Sequence, residues 1–248
     1  MNLADDELER YARHIVLPQL GGVGQRKLKA ASIAVIGAGG IGSAVIPALA
    51  GAGVGKLTII DADVVELANL HRQPLFRESD AGKPKAQLAA AFVNRLNRYV
   101  EVDAKAERIE TDNAAQLLAS HGLVIDGSDN FATRLAVSDA CVGLGIPLVS
   151  AAAVQFQGQV GLFRSRPCYR CFVGDAFDSD DCDNCSELGV LGALTSCIGS
   201  FAALLAINAL VGIGEDQSGQ LHLFDGEKLA WRTMRIPADP ACRVCGGA

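Results

Sequence analysis

Three glycines with the spacing Gly37-x-Gly39-x-x-Gly42 are the first residues whose pattern has a chemical use. They separate a short apolar run at residues 32–36 from an alanine-rich segment typical of a helix. Between a strand and a helix, the first glycine permits a tight turn, the second lets a phosphate approach the backbone, and the third lets helix and strand pack closely. The pattern predicts a nucleotide site, but it does not choose between NAD and ATP.

Four charged residues follow successive predicted strands further along the chain. Asp61 closes the second strand and is placed to accept hydrogen bonds from ribose hydroxyls. Arg72, Lys85 and Asp129 lie in loops or at helix starts that the fold should bring to one crevice. Two cations could clamp phosphate oxygens and an aspartate could hold Mg²⁺, which hydride transfer does not require. The set favours ATP, and an NAD(P)-dependent oxidoreductase is the alternative.

Strand-like and helical segments alternate over the first part of the chain. This alternation predicts an α/β fold with a doubly wound, mixed but mainly parallel, Rossmann-like sheet, whose ligands bind at the carboxyl ends of the strands. We expect one domain, 1–248, with a helical arm at 1–30, a nucleotide-binding region at 31–165 and a cysteine-rich C-terminal portion at 166–248. The predicted elements are helices at 5–17, 83–97 and 112–120, strands at 32–36, 56–60, 100–104, 123–125, 147–150 and 159–163, a cysteine-rich loop at 167–187, an uncharged helix within 188–214, and strands near 221–224 and 229–233.

Three Cys-x-x-Cys pairs lie in the C-terminal portion. We expect Cys168, Cys171, Cys242 and Cys245 to form a closed structural zinc site, because the C-terminal pair otherwise has no task. A local alternative combines the first pair with Cys182 and Cys185. We prefer the long-range set.

Composition narrows the class of protein. The chain has 248 residues, of which 50% are hydrophobic and 20% charged, and a formal net charge of −6. These values argue against disorder and give no electrostatic reason to expect nucleic acid or an anionic membrane as a partner. The charged first residues lack a secretory signal, so eight cysteines predict a reducing, cytoplasmic compartment. The uncharged stretch 188–214 is long enough to span a bilayer, but its glycines and polar residues favour a buried helix.

The order of motifs resembles a known family. Arg-Tyr-x-Arg near the start is followed by Gly-Ala-Gly-Gly-Ile-Gly, Ala-Gly-Val-Gly, Asp-x-Asp, Asn-Leu-His-Arg-Gln, Gly-Lys-Pro-Lys, Asp-Gly-Ser-Asp-Asn and the paired cysteines. From Arg10 to Cys245 this order is similar to the MoeB/ThiF family, which is related to ubiquitin-activating enzymes. The resemblance implies an adenylyltransferase that uses ATP and Mg²⁺ to adenylate the Gly-Gly carboxylate of a ubiquitin-like sulfur carrier of the MoaD or ThiS type.

The resemblance also implies roles for individual residues. Asp129 would hold Mg²⁺, and Arg13 would reach the phosphates from a neighbouring subunit, which implies a homodimer. Cys185 resembles a position that forms a covalent link with the carrier, although its acidic neighbours disfavour a reactive thiolate. Without a rhodanese-like extension, sulfur would come from another protein, such as a cysteine desulfurase or a rhodanese. The ATP site would comprise Gly37, Gly39, Gly40, Gly42, Asp61, Asp63, Asn69, Arg72, Gln73, Lys85, Asp129 and Asn130.

Overall fold

A computed structural model describes residues 3–174 and 188–246 of the chain. The strands within these ranges are β1 (Ser32–Ile36), β2 (Lys56–Ile60), β3 (Glu101–Lys105), β4 (Leu123–Asp126), β5 (Leu148–Val154), β6 (Gln157–Phe163), β7 (Gln220–Asp225) and β8 (Ala230–Arg235). They form one sheet in the order β3-β2-β1-β4-β5-β6-β7-β8. Pairing is parallel from β3 to β5 and antiparallel from β5 to β8. The predicted fold class, a mixed and mainly parallel Rossmann-like sheet, is confirmed.

Helices cover both faces of this sheet. In the described residues they are α1 (Asp5–Arg10), α2 (Ala12–Ile15), α3 (Gly21–Ala30), α4 (Gly42–Ala52), α5 (Lys85–Leu96), α6 (Ala114–Leu118), α7 (Phe131–Leu144), α8 (Tyr169–Val173) and α9 (Gly192–Val211). Short 3-10 turns occur at Leu67–Asn69 and Glu78–Asp80.

Alternate residues of the central strands contribute to two separate apolar clusters. Ile33 and Val35 of β1 belong to the cluster formed with α4, α5 and α9, whereas Ala34 and Ile36 belong to the cluster formed with α6 and α7. Side chains on a strand point alternately to the two faces of the sheet, so a strand covered on both sides is apolar throughout. The continuous apolar runs in the sequence have this cause.

The strand order reverses direction at β1. The chain passes from β1 through α4 to β2 on one side, and β4 pairs with β1 on the other side. The connections that leave the carboxyl ends of β1 and β4 therefore diverge, and a crevice opens between them. Open α/β sheets bind ligands at such a switch point.

The uncharged helix α9 is long and apolar enough to cross a membrane. In the structure it packs against α4, β5 and β6, and half of its most apolar window is buried. Gly199 lies where α9 packs closely against the start of α4. A Cβ atom there would be 2.5 Å from the Ile41 carbonyl oxygen and 2.9 Å from the Ala44 Cβ. This helix therefore supports the glycine loop from behind, which is the core role predicted for it.

Two predicted elements differ from the structure. The helix expected at 5–17 is broken between α1 and α2, because the side chain of Tyr11 is buried and its hydroxyl accepts a hydrogen bond of 2.8 Å from Asn97 Nδ2. The loop expected at 167–187 contains helix α8, which begins after Cys168 and turns Cys171 back towards it. The remainder of that predicted loop, residues 175–187, lies outside the described residues.

We expect Gly199→Ala to lower the free energy of unfolding by about 1–3 kcal/mol, because the added methyl group displaces α9 from α4. The matched control is Gly51→Ala, an exposed position in α4 where a Cβ atom meets nothing within 4 Å. That change should raise stability by about 0.5–1 kcal/mol, since alanine favours the helix. Chemical denaturation measures both, and equal effects at the two sites would contradict the packing role of Gly199.

Candidate active site

A cavity of about 480 Å³ opens at the carboxyl ends of β1, β2 and β4. Eleven of the twelve residues predicted for the ATP site line it, namely Gly37, Gly39, Gly40, Asp61, Asp63, Asn69, Arg72, Gln73, Lys85, Asp129 and Asn130. The structure thus brings together residues that are spread over more than ninety positions of sequence. Their roles towards a ligand stay predictions.

The twelfth residue, Gly42, starts helix α4 behind the loop. A Cβ atom there would collide with the Gly37 carbonyl oxygen, so this glycine serves close packing and does not line the cavity. Gly37 has a positive φ of 86°, which disfavours other residues. Together the two glycines let the loop turn sharply from β1 into α4.

Asp61 fixes this loop from the neighbouring strand. Its Oδ2 accepts a hydrogen bond of 2.7 Å from the backbone N–H of Ala38, and its Oδ1 accepts one of 2.8 Å from that of Asp63. Burial raises the pKa of Asp61, although these two hydrogen bonds and the charge of Lys85 oppose the shift. Because each carboxylate oxygen carries more than one acceptor site, Asp61 can also accept a bond from a ligand hydroxyl.

Two of the predicted cations, Lys85 and Arg72, also line the cavity. Lys85 is 5% exposed, and its Nζ lies 3.1 Å from Asp63 Oδ2. Arg72 donates from one terminal nitrogen to His71 Nε2 at 2.9 Å. Within the described residues each of these two side chains makes one polar contact, so both retain donors that could bind phosphate oxygens.

Arg108 and Arg134 also line the cavity, and sequence reasoning missed them. Arg108 follows β3, and its Nη2 lies 4.0 Å from Asp63 Oδ1. Arg134 is buried in the first turn of α7, four residues after Asn130, whose side chain accepts a hydrogen bond from the Thr133 N–H and so caps the helix. One sequence signal for Arg134 was available. It follows the Asp-Gly-Ser-Asp-Asn motif by one helical turn, and the first turn of a helix lies near the end of the strand that precedes it.

Two further residues were predicted to be catalytic. Arg13 is an exposed residue of α2 and does not line this cavity, and its role towards a neighbouring subunit stays a prediction. Cys185, together with Cys182 of the alternative zinc set, lies outside the described residues.

Four cysteine sulfurs form a cluster outside the cavity. Those of Cys168, Cys171, Cys242 and Cys245 all lie within 4.8 Å of one another. Three of the Sγ–Sγ distances are 4.0, 3.6 and 3.4 Å, compared with about 3.8 Å between ligands of a tetrahedral zinc thiolate site. The geometry therefore fits a metal ion, and the structure brings together all four residues of the preferred long-range set.

The thiols of this cluster affect one another. Burial raises the pKa of Cys168 well above its usual range. Burial would also raise the pKa of Cys242, but hydrogen bonds from the backbone N–H groups of Cys245 and Val244 and from neighbouring thiols lower it to about 7. Such N–H donors stabilise thiolates, the form that binds a metal.

A family model described as the ThiF family matches residues 11–244. The chain belongs to the ThiF family. A sulfur carrier protein adenylyltransferase of Thermus thermophilus is 42% identical over 253 residues, which cover 99% of this chain and 93% of that protein. A SAMP-activating enzyme E1 of Haloferax volcanii is 39% identical, with coverage of 99% and 92%. The family predicted from the motifs is confirmed.

Other relatives are longer proteins. An adenylyltransferase and sulfurtransferase MOCS3 of Anopheles gambiae is 41% identical over 99% of this chain, but the match covers only 56% of that relative. Among solved structures, E. coli MccB with MccA-N7isoASN has a TM-score of 0.85 at 23% identity and covers 99% of this chain and 76% of its own. At that identity the likeness establishes the fold alone.

We expect Asp61→Ala to lower the free energy of unfolding by about 1–3 kcal/mol, because the N–H groups of Ala38 and Asp63 lose their acceptor. Hydrogen exchange at the Ala38 amide should accelerate. The control is Asp112→Ala, which removes an exposed carboxylate from the surface and should change neither quantity. An unaltered Ala38 exchange rate in Asp61→Ala would contradict the role of Asp61 in holding the loop.

Proposed function

We propose that this protein uses ATP to adenylate the C-terminal Gly-Gly carboxylate of a small ubiquitin-like sulfur-carrier protein of the MoaD or ThiS type, with release of pyrophosphate. One observation supports this most strongly: Arg72, Lys85 and Asp129 line a single cavity with the glycine loop, in a ThiF-family chain that matches a carrier adenylyltransferase over nearly its whole length. None of the relatives named above is an oxidoreductase, so we do not retain the NAD(P) alternative.

Charge repulsion is the main obstacle to this reaction. A carrier carboxylate oxygen must bond to the α-phosphorus of ATP while the bond to pyrophosphate breaks, and both reactants are anions. The nucleophile is already ionised at neutral pH, because the ordinary pKa of a terminal carboxyl is about 3.5, so no general base is needed. Cations must instead offset the repulsion and stabilise the departing pyrophosphate. Arg72 and Lys85 would supply this positive charge.

The remaining residues position the nucleotide. Asp61 would accept hydrogen bonds from the ribose, and the N–H groups at the start of α4 would face the phosphates. Asp129 would hold Mg²⁺, because this ion is usually bound by carboxylates together with the phosphates of the substrate. When bound, the ion supplies further positive charge at the phosphates. Correct alignment of carboxylate and phosphorus provides the rest of the rate.

We assign Zn²⁺ to the four clustered cysteines as a structural ion. Four thiolates leave no open position for a substrate, and the cluster joins the segment before α8 to the C-terminal tail. The part-buried ion pair between Arg170 and Asp139, with N–O distances of 2.7 and 2.9 Å, attaches α8 itself to α7. The ion would thereby fix the C-terminal portion to the sheet.

The wider setting is also a proposal. Arg13 of a second subunit would complete each site in a homodimer. Sulfur would come from a separate donor, such as a cysteine desulfurase or a rhodanese, and the product would serve molybdopterin or thiamine biosynthesis. A covalent role for Cys185, a cytoplasmic location and the expected absence of nucleic-acid and membrane partners stay predictions.

Arg72→Ala and Asp129→Ala should each lower carrier-dependent ATP–pyrophosphate exchange by at least about 100-fold, because a group that stabilises developing charge is lost. Arg77→Ala is the matched control, since Arg77 is an exposed arginine of the same connection that does not line the cavity. Thermal unfolding should be similar in all variants. Exchange that survives in Arg72→Ala or Asp129→Ala would count against the assignment.

We expect one zinc ion per chain, measured by atomic emission on purified protein. A Cys182→Ala/Cys185→Ala double variant should keep the metal, whereas Cys242→Ala should lose it, because three thiolates hold Zn²⁺ less tightly than four. The reverse pattern would identify the local set as the true site.

A further inference from the structure

We propose that Asp126 and Arg134 are positioning residues that hold the backbone of Ser128 from both sides and thereby set the direction of the Asp129 carboxylate. This inference rests on the proposed function, in which Asp129 holds the metal ion. Neither residue belongs to the set that the motifs predicted.

Asp126 is the last residue of β4 and is 1% exposed. Its Oδ1 accepts a hydrogen bond of 2.9 Å from the backbone N–H of Ser128. An aspartate that binds the N–H two residues ahead closes a tight turn with its own side chain. The conformation of the chain immediately before Asp129 is therefore fixed from the end of a central strand.

Arg134 holds the other polar group of the same residue. It is 6% exposed, and one terminal nitrogen donates to the carbonyl oxygens of Ser128 and, at 2.9 Å, of Ala151. The other terminal nitrogen donates to Ser150 Oγ at 3.2 Å. Both Ser150 and Ala151 belong to β5, so the guanidinium ties the Ser128 carbonyl to a rigid strand.

The two contacts form one connected cluster. Asp126 pairs with Ser150 across β4 and β5, and Ser150 in turn accepts from Arg134. The backbone of Ser128 is thus held between two strands and the first turn of α7. Only a planar guanidinium with donors in a fork can reach these acceptors together; a lysine ammonium is a point charge on a flexible stem.

Asp129 itself is different from both of its neighbours. Ser128 is held by its backbone and Asn130 caps α7 with its side chain, whereas within the described residues the Asp129 carboxylate makes no hydrogen bond or ion pair. It is exposed to the cavity. The neighbours therefore make the loop rigid and leave this one carboxylate available for a cation, which is the arrangement expected of a preorganised ligand.

The experiment measures carrier-dependent ATP–pyrophosphate exchange as a function of Mg²⁺ concentration, with a purified MoaD- or ThiS-like carrier. We expect Asp126→Ala and Arg134→Lys to raise the Mg²⁺ concentration for half-maximal exchange by about 10–100-fold, the usual effect of losing a group that orients a metal ligand. The KM for ATP at saturating Mg²⁺ should change little. Asp126→Asn should behave nearly as wild type, because the amide oxygen can still accept from Ser128.

Two control variants separate positioning from stability. Ser138→Ala changes a buried serine of α7 whose hydroxyl has no hydrogen-bond partner in the described part of the chain, and it should leave exchange unchanged. Val137→Ala empties space in the core of the same helix, so it should lower Tm without moving the Mg²⁺ dependence. Should Asp126→Ala fail to fold, the positioning role is tested by comparing Arg134→Lys with Asp126→Asn.

The outcomes distinguish this inference from the function on which it rests. The positioning role is overturned if the Mg²⁺ dependence of exchange is unchanged in Arg134→Lys, or if Val137→Ala shifts it equally. The proposed function still stands in that case, provided that the wild-type protein catalyses exchange and Asp129→Ala does not. Wild-type protein that shows no exchange with either carrier overturns both.

Discussion

The close approach of two backbones, at Gly37 after β1 and at Gly127 after β4, is the constraint on which the site depends. The Gly127 N–H donates to the Ile36 carbonyl at 3.0 Å, and a Cβ atom on Gly37 would lie 3.3 Å from the Gly127 carbonyl oxygen. Neighbouring strands thus bring the glycine loop and the Asp129 loop to the same place. No side chain separates these turns, so the proposed nucleotide and metal ion would share one crevice.

Close packing extends this constraint to the connection that carries Arg72. A Cβ atom on Gly192, at the start of α9, would collide with the His71 carbonyl, and one on Gly40 would lie 3.1 Å from the Thr195 side chain. The first turn of α9 therefore lies against both the glycine loop and the His71–Arg72 turn. An uncharged helix suits this position, since it is covered by the sheet and α4 on its inner side. Burial in the core accounts for the apolar residues on this inner side of the helix, where half of its most apolar window is buried.

Most of the fold could be predicted from local sequence, because strands covered on both faces are apolar throughout and glycines mark the turn into α4. The preferred cysteine set was predictable only by giving the C-terminal pair a task, since all three pairs share the same spacing. The break at Tyr11 was not, as it depends on a hydrogen bond to Asn97, far away in the chain. Arg108 was missed because one arginine among several has no distinguishing local pattern. Arg134 had a local signal in its helical spacing from Asn130, but its acceptors come together only in the folded chain.

The described cations separate into two groups by how completely their donors are used. Arg134 makes hydrogen bonds to three acceptors, and Arg170 binds both oxygens of Asp139, so these guanidinium groups are committed to holding elements together. Arg72 has a single described contact with His71, and Lys85 has one with the half-exposed Asp63. A single contact leaves the other donors of each cation for further acceptors, such as phosphate oxygens. Buried charge is tolerated where it is fully paired, so the pattern of satisfied donors separates the two arginines that hold elements together from the two cations whose donors an anionic ligand would complete.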